Sequence, residues 1–169
     1  MITSGAPQLD GIRENLVSRE KLVSSQLAPE EDFVLGIFHS TTEELGRDIP
    51  HLENILEALK KSGFPVVWIS PNNDPGSQNI AKKLNDSLGS NDRLFVNLPR
   101  NSYLSLMQHA LFMIGNSSSG ILEAPSFGLP SVNVGRRQKD RFRGPNVIDA
   151  EPELEKIQHA IEAAVAMRE

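Results

Sequence analysis

Residues 111–123 read LFMIGNSSSGILE. An apolar run is followed by a short loop of glycine, asparagine and serine, and the loop leads into a second apolar pattern. A strand that is buried on both faces of a parallel sheet reads as a continuous apolar run, and the chain after it enters a crossover helix. This segment therefore predicts a buried strand, a loop at its carboxyl end and the start of a helix.

Five other apolar runs of similar length predict the rest of a sheet. They alternate with segments of helical period, which is typical of parallel strands joined by right-handed crossovers. We therefore predict an α/β fold with a Rossmann-like parallel sheet of about six strands and helices on both faces. The predicted strands are 33–39, 65–70, 94–98, 111–116, 131–135 and 146–150.

Four helices are predicted among these strands. The clearest has Asp48 as its N-cap and ends at Gly63. A second covers about 78–88, a third begins near 101–102, and the last follows Pro152, which is expected in its first turn. The side chains predicted to face the core are Ile49, Leu52, Ile55, Leu56 and Leu59 in the first, Leu104, Met107 and Leu111 in the third, and Ile157, Ile161 and Val165 in the last.

The chain of 169 residues suits a single domain. Residues 1–32 carry no strand signal and predict a helical lead-in, and residues 33–169 form the α/β unit. A net charge of -5 disfavours nucleic-acid binding, and no apolar run approaches the ~20 residues of a membrane span. The absence of cysteine excludes zinc-thiolate sites and fits a cytosolic protein, and no His and carboxylate cluster has metal-ligand spacing. We expect neither a metal nor a cofactor.

The serine loop is the strongest candidate for a binding site. Ligands of open α/β sheets lie beyond the carboxyl ends of the strands, and backbone N–H groups at a helix start attract phosphate. Ser117, Ser118 and Ser119 add hydroxyl donors, and Gly115 and Gly120 are expected to let the backbone turn and approach a ligand. Plain helix capping by one serine remains the alternative.

The acid that follows the serine loop has two equal interpretations. Glu123 accepts the two hydroxyls of a ribose in one of them. In the other, it is a first-turn acid that stabilises the helix dipole.

Two further features lie at predicted strand ends. His39 ends the first strand and is suited to donate a hydrogen bond to phosphate. Residues 136–143 carry five basic side chains, which suit a diphosphate, or else form a solvated turn or a salt-bridge belt. We expect one or two of them to contact a ligand. Three common motifs are absent. The serine loop lacks the last glycine of the G-x-S-x-G nucleophile elbow, and the sequence has neither the P-loop lysine nor the G-x-G-x-x-G fingerprint.

A specific resemblance joins these features. Residues 115–139, GNSSSGILEAPSFGLPSVNVGRRQK, resemble the C-terminal lobe of the hydrolysing UDP-N-acetylglucosamine 2-epimerases, which have the two-lobed GT-B fold. Residues 98–107 resemble the base-binding segment of that family, and residues 5–10 resemble the stretch that joins its lobes. The resemblance covers nearly the whole chain.

The resemblance implies roles for individual residues. The serines of the loop hold the UDP diphosphate, Glu123 takes the ribose hydroxyls, and the backbone near Tyr103 holds uracil. His39 and Arg137 are the implied catalytic contributors of this lobe, with His39 on the diphosphate beside the sugar and Arg137 near the phosphates or the closing cleft. The diphosphate contacts are Ser117, Ser118 and Ser119. Asp140 replaces a glycine of similar sequences, so the position of Arg141 stays open.

The implied reaction removes the proton from sugar C2, expels UDP to leave a glycal, and adds water to release N-acetylmannosamine. The resemblance assigns the acid and base carboxylates to an N-terminal lobe, so we expect this chain to bind UDP or a UDP-N-acetylhexosamine without turnover. A full-length homo-oligomer is also expected. A glycosyltransferase donor lobe and a UDP-sugar-sensing module are the alternatives, and the identity of the amino sugar stays open.

Overall fold

The computed structural model describes residues 6–41 and 46–168. Residues 1–5 of the predicted lead-in, which include the first residue of the stretch 5–10, lie outside the described residues. No helix in the described part of the chain is long and apolar enough to cross a membrane.

Six parallel strands form one sheet in the order β3-β2-β1-β4-β5-β6. This confirms the predicted fold class and all six strands, with ends shifted by a few residues. β1 lies in the middle of the sheet. β2 and β3 extend the sheet to one edge, and β4, β5 and β6 extend it to the other. The switch point lies between β1 and β4, where ligands of such sheets bind. The strands are β1 Val34–Ile37, β2 Val66–Ile69, β3 Arg93–Phe95, β4 Met113–Gly115, β5 Ser131–Val134 and β6 Val147–Ala150.

Helices cover both faces of the sheet. The helices are α1 Arg19–Ser24, α2 Asp48–Ser62, α3 Ser77–Asp86, α4 Arg100–His109, α5 Ser119–Leu122 and α6 Leu154–Arg168, with 3₁₀ turns at Pro7–Leu9 and Ala124–Phe127. The apolar sides of α2, α3 and α6 pack with Trp68 on one face, and α1 and α4 pack with Phe33 on the other. The Trp68 ring needs the space beside Gly36, where an added Cβ would lie 2.4 Å from the indole.

The lead-in residues pack directly on the second face. Ile12, Leu22 and Ala28 are buried in the same cluster as Leu35 of β1. The Val17 N–H also donates to Ser105 Oγ of α4 at 2.7 Å. Apolar burial and this hydrogen bond therefore hold the lead-in against the sheet.

Two predicted helix starts are wrong by a residue or two. Asp48 is the first residue of α2, and Arg47 occupies the N-cap position. The Asp48 carboxylate instead accepts hydrogen bonds from the backbone N–H and hydroxyl of Thr41, at 3.2 and 3.3 Å. Pro152 precedes α6, which begins at Leu154, and is not in its first turn; its carbonyl accepts a hydrogen bond from Asn54 Nδ2 on α2 at 2.9 Å.

Two other expectations fail near the ends of elements. The strand predicted over 94–98 ends at Phe95, and Val96 is 83% exposed in the loop beyond it. Helix α4 ends at His109, so Leu111 does not share the inward face of Leu104; it packs on the opposite face of the sheet. In both places the chain leaves a strand or a helix earlier than its apolar pattern predicts, because local periodicity does not define where an element ends.

Candidate functional site

A cavity of about 340 Å³ opens at the carboxyl ends of β1 and β2 and beside the loop after β4. This is the position that the switch in strand order favours for a ligand. A larger cavity of about 710 Å³ lies between α2 and α3 and contains none of the predicted site residues. The smaller cavity is lined by Ile37, His39, Ile69, Ser70, Val96, Asn97, Leu98, Arg100, Tyr103, Ser117 and Ser119.

The serine loop turns sharply as it leaves β4. Gly115 has φ +134°, and a Cβ there would lie 1.9 Å from the Ile37 carbonyl oxygen. A Cβ on Gly120 would lie 2.1 Å from Ser131 Oγ of β5. The two glycines therefore allow close approach to neighbouring strands, and the positive φ of Gly115 agrees with the expected sharp turn, while approach of this backbone to a ligand stays a prediction.

The hydroxyl of Ser117 accepts a hydrogen bond from the Ser119 N–H at 3.3 Å. The N-cap residue of α5 is Ser118, and its side chain makes no capping hydrogen bond. The N–H groups of Ser117 and Ser118 donate to no acceptor in the described part of the chain. The helix that follows is a single turn, since α5 ends at Leu122. The side chain at the N-cap position therefore does not cap α5, and the N–H groups of Ser117 and Ser118 stay available.

Asn116 is a site residue that sequence reasoning missed. Its side-chain amide donates to the His39 carbonyl at 2.8 Å and accepts from the His39 N–H at 2.8 Å. Its own carbonyl accepts from Gln138 Nε2 at 2.8 Å and from Arg137 at 3.3 Å. Asn116 is buried and joins the ends of β1 and β4 to the basic loop after β5. A polar residue directly after a buried strand was the only sequence signal for this role.

His39 is held in one tautomer. Its Nδ1 accepts a hydrogen bond from the Asn72 N–H at 3.3 Å, so the ring proton of the neutral form is on Nε2. Burial is the main cause that lowers the pKa of His39, and the positive charge of Arg137 lowers it further. His39, which lines the cavity, therefore has a lowered pKa that favours the neutral imidazole with its proton on Nε2.

Glu123 is both the C-cap residue of α5 and the N-cap residue of the 3₁₀ turn Ala124–Phe127, so it does not lie in the first turn of α5 and the helix-dipole interpretation is wrong for that helix. Its side chain is 13% exposed, and Oε1 lies 3.9 Å from Arg100. The neighbouring Tyr103 hydroxyl is buried without a hydrogen bond of ordinary geometry. Burial raises the pKa of Tyr103, and the nearby Ser119 hydroxyl lowers it.

The basic loop divides its charges between two roles. Arg143 pairs with Asp149 of β6 at 2.7 Å, which is the salt-bridge alternative. Arg137 is half-buried beside His39 and Asn116. Asp140 has φ +66°, the left-handed conformation that glycine adopts most easily. The remaining basic side chains, Arg136, Lys139 and Arg141, are exposed.

The structure brings four of the seven predicted site residues to the cavity wall: His39, Tyr103, Ser117 and Ser119. Ser118, Glu123 and Arg137 lie outside the lining. Arg100, which lines the cavity and approaches Glu123, was not predicted. Among residues 6–41 and 46–168, no group of three or more His, Asp or Glu side chains is placed to hold a metal ion.

The whole chain, residues 1–169, matches the sequence profile of the UDP-N-acetylglucosamine 2-epimerase family. The chain belongs to this family. Its relatives include the UDP-N-acetylglucosamine 2-epimerase of Neisseria meningitidis serogroup B, which is 34% identical over 164 residues. The match covers 96% of this chain and 44% of that protein.

A second relative is the hydrolysing UDP-N,N'-diacetylbacillosamine 2-epimerase of Legionella pneumophila, 31% identical over 87% of this chain and 40% of that protein. Among solved structures, the Methanocaldococcus jannaschii UDP-N-acetylglucosamine 2-epimerase in complex with UDP-N-acetylglucosamine and UDP superposes with a TM-score of 0.69. The identity is 17%, over 97% of this chain and 48% of that one. The chain therefore spans less than half the length of these epimerases and has the fold of one lobe.

Proposed function

We propose that this chain is the UDP-holding lobe of a hydrolysing UDP-N-acetylglucosamine 2-epimerase. The observation that carries the proposal is the cavity at the switch point of the sheet, where His39, Tyr103 and the serine loop meet. Membership of the epimerase family favours this reaction over that of a glycosyltransferase lobe. The UDP found in the complex of the Methanocaldococcus jannaschii relative supports the choice of nucleotide.

The diphosphate takes the end of the cavity formed by β1 and β4. The N–H groups of Ser117, which lines the cavity, and of the adjacent Ser118 have no acceptor in the described residues, and the His39 Nε2–H is a third donor. Arg137 supplies positive charge close to His39. The nucleoside extends towards the loop after β3, where apolar Leu98 and the Tyr103 backbone hold the base and Glu123 accepts the ribose hydroxyls.

The chemistry explains why such a lobe needs these donors. When the C2 proton has been removed and the C1–O bond of the sugar breaks, negative charge develops on the β-phosphate of the departing UDP. Preorganised N–H donors and a cation at that position stabilise the charge, as an oxyanion hole does. Water then adds to the glycal and gives N-acetylmannosamine. The groups that move protons belong to the remaining part of the full-length protein.

Calorimetry with UDP tests the binding half of this proposal. Wild-type chain is expected to bind UDP, and His39→Gln is expected to weaken binding about tenfold, because a hydrogen bond to a charged group contributes about 1.5 kcal/mol or more. His159→Gln is the matched control, since His159 is exposed on α6 and distant from the cavity lining. Absence of heat at millimolar UDP would contradict the proposal.

A product assay tests the division between lobes. The chain alone is expected to release no N-acetylmannosamine from UDP-N-acetylglucosamine. Turnover by this chain alone, at a rate above that of a His39→Gln sample prepared in parallel, would show that the proton-moving groups are present here.

A further inference from the structure

Arg100 connects two parts of the molecule that are distant in sequence. It is the first residue of α4 and lines the cavity. One guanidinium nitrogen donates to the carbonyl oxygen of Gln8 in the lead-in. Another lies 3.9 Å from Glu123 Oε1, beyond α5. The guanidinium therefore has one end fixed to backbone and the other directed at a carboxylate.

Glu123 needs such a neighbour for the role proposed above. A carboxylate close to a diphosphate repels it, and a positive charge beside the carboxylate offsets that repulsion. The Glu123 side chain is 13% exposed, so the Arg100 charge acts on a largely desolvated partner. Arg100 leaves the second carboxylate oxygen without a salt-bridge partner in the described residues.

Tyr103 provides independent support for the grouping. Its ring stands one turn along α4 from Arg100, and its hydroxyl is buried. The Glu123 charge raises the pKa of Tyr103 and the Arg100 charge lowers it, because both groups lie near the hydroxyl. Arg100, Tyr103 and Glu123 therefore form one cluster, in which Arg100 and Tyr103 line the cavity and Glu123 lies next to that lining.

We propose that Arg100 is a positioning residue that orients the Glu123 carboxylate towards the ribose hydroxyls and so makes the site prefer a ribonucleotide over its 2′-deoxy analogue. This inference rests on the proposed function of the cavity. Arg100 itself acts through Glu123 and through its bond to the Gln8 carbonyl. An exposed ion pair without this role would contribute little to stability and nothing to the choice of sugar.

The test compares UDP with 2′-deoxy-UDP by calorimetry. Wild-type chain is expected to bind UDP about tenfold more tightly, since removing one hydroxyl removes a hydrogen bond to a charged acceptor. Glu123→Gln and Arg100→Gln are each expected to reduce that preference to about twofold or less. The double variant is expected to lose no more than either single variant, because the two residues act as a unit.

Arg19→Gln is the control variant. Like Arg100, Arg19 donates to backbone carbonyls, here those of Glu30 and Glu31, and lies near a carboxylate, that of Asp32. Unlike Arg100, it does not line the cavity. It should keep the full preference. Arg100→Lys keeps the charge without the fork, and an intermediate preference is expected. Circular dichroism establishes that each variant is folded, and Arg100→Lys carries the test if Arg100→Gln does not fold.

The outcomes separate the two proposals. If wild-type chain binds no UDP, the proposed function fails and this inference fails with it. If UDP binds with a preference that Glu123→Gln removes but Arg100→Gln and Arg100→Lys retain, only the role of Arg100 is overturned. Equal loss of UDP and 2′-deoxy-UDP affinity in Arg100→Gln would also overturn it, because that result indicates a general charge effect.

Discussion

Asp140 adopts a backbone conformation that residues other than glycine disfavour. Its φ of +66° is left-handed. Aspartate tolerates this conformation better than most residues, but glycine adopts it without a steric penalty. The turn at Asp140 therefore retains some backbone strain.

Replacing Asp140 by glycine is expected to raise the free energy of unfolding by about 0.5 kcal/mol, because relief of the left-handed strain exceeds the entropy that glycine adds to the unfolded chain. Asp10→Gly is the control, since Asp10 has φ -63° and should lose about 0.5 kcal/mol instead. Urea unfolding measures both. Destabilisation by both changes would show that residue 140 is not strained.

His39 is the second residue with a measurable local signature. Because burial and Arg137 lower its pKa, its Cε1 proton should titrate below the ordinary value of about 6.5. UDP binding should raise that pKa, because the diphosphate stabilises the imidazolium. NMR titration with and without UDP measures both values, and His39→Gln assigns the signal. A pKa that stays unchanged on UDP addition would place the diphosphate away from His39.

The lowered pKa of His39 also makes the stability of the folded chain depend on pH. The unfolded chain protonates His39 near pH 6.5 while the folded chain resists protonation, so the unfolded state binds more protons between the two pKa values. The contribution of His39 to stability is therefore complete above about pH 6.5 and decreases as the pH falls towards the folded pKa. This acid-side loss should be smaller in His39→Gln.

At the scale of elements, the site depends on how closely the ends of β1 and β4 approach. Ile37 lies opposite Gly115 in the parallel register, and the Ile37 carbonyl accepts the Asn116 N–H at 3.1 Å. Asn116 then holds both backbone groups of His39. One contact between two strand ends thus places the histidine and starts the serine loop.

Gly115→Ala is expected to cost about 3 kcal/mol or more, because the new methyl group meets the Ile37 carbonyl and φ +134° strains any side chain. Gly128→Ala is the matched change, since Gly128 has φ +60° and open space around it. It should cost about 1 kcal/mol from strain alone. Unfolding in urea gives both values, and equal costs would exclude the close approach at Gly115.

At the scale of the whole molecule, the sheet joins two apolar clusters into one cooperative unit. Trp68, the only tryptophan of the chain, is buried on the face covered by α2. Leu22 of the lead-in is buried on the other face. Because strands β1 and β2 contribute side chains to both clusters, loss of one cluster should weaken the other.

Leu22→Ala is expected to lower the free energy of unfolding by about 3 kcal/mol through loss of buried surface and the cavity it leaves. Trp68 fluorescence and far-ultraviolet circular dichroism should show the same shifted transition. Leu84→Ala, a fully buried change on the Trp68 face, should behave alike in both probes. A Trp68 transition unchanged by Leu22→Ala would mean that the lead-in unfolds separately from the α/β unit.

Much of the architecture was predictable because it depends on neighbours in the chain. Short apolar runs predicted all six strands, and the left-handed Gly63 that ends α2 was visible as a glycine after a helical stripe. The position of the site followed from a general property of parallel sheets, namely that their carboxyl ends gather the connecting loops. His39 and the serine loop lie at those ends.

The tertiary structure decided the features that join distant residues. The clamp of Asn116 on His39 spans 77 positions, and the bond from Arg100 to Gln8 spans 92. The tertiary structure also ended α5 after one turn, so Glu123 lies between α5 and the 3₁₀ turn that follows it instead of in the first turn of a longer helix. Periodicity and turn chemistry are local properties that a sequence displays directly, whereas a hydrogen bond between residues far apart exists only after the sheet has brought their backbones together.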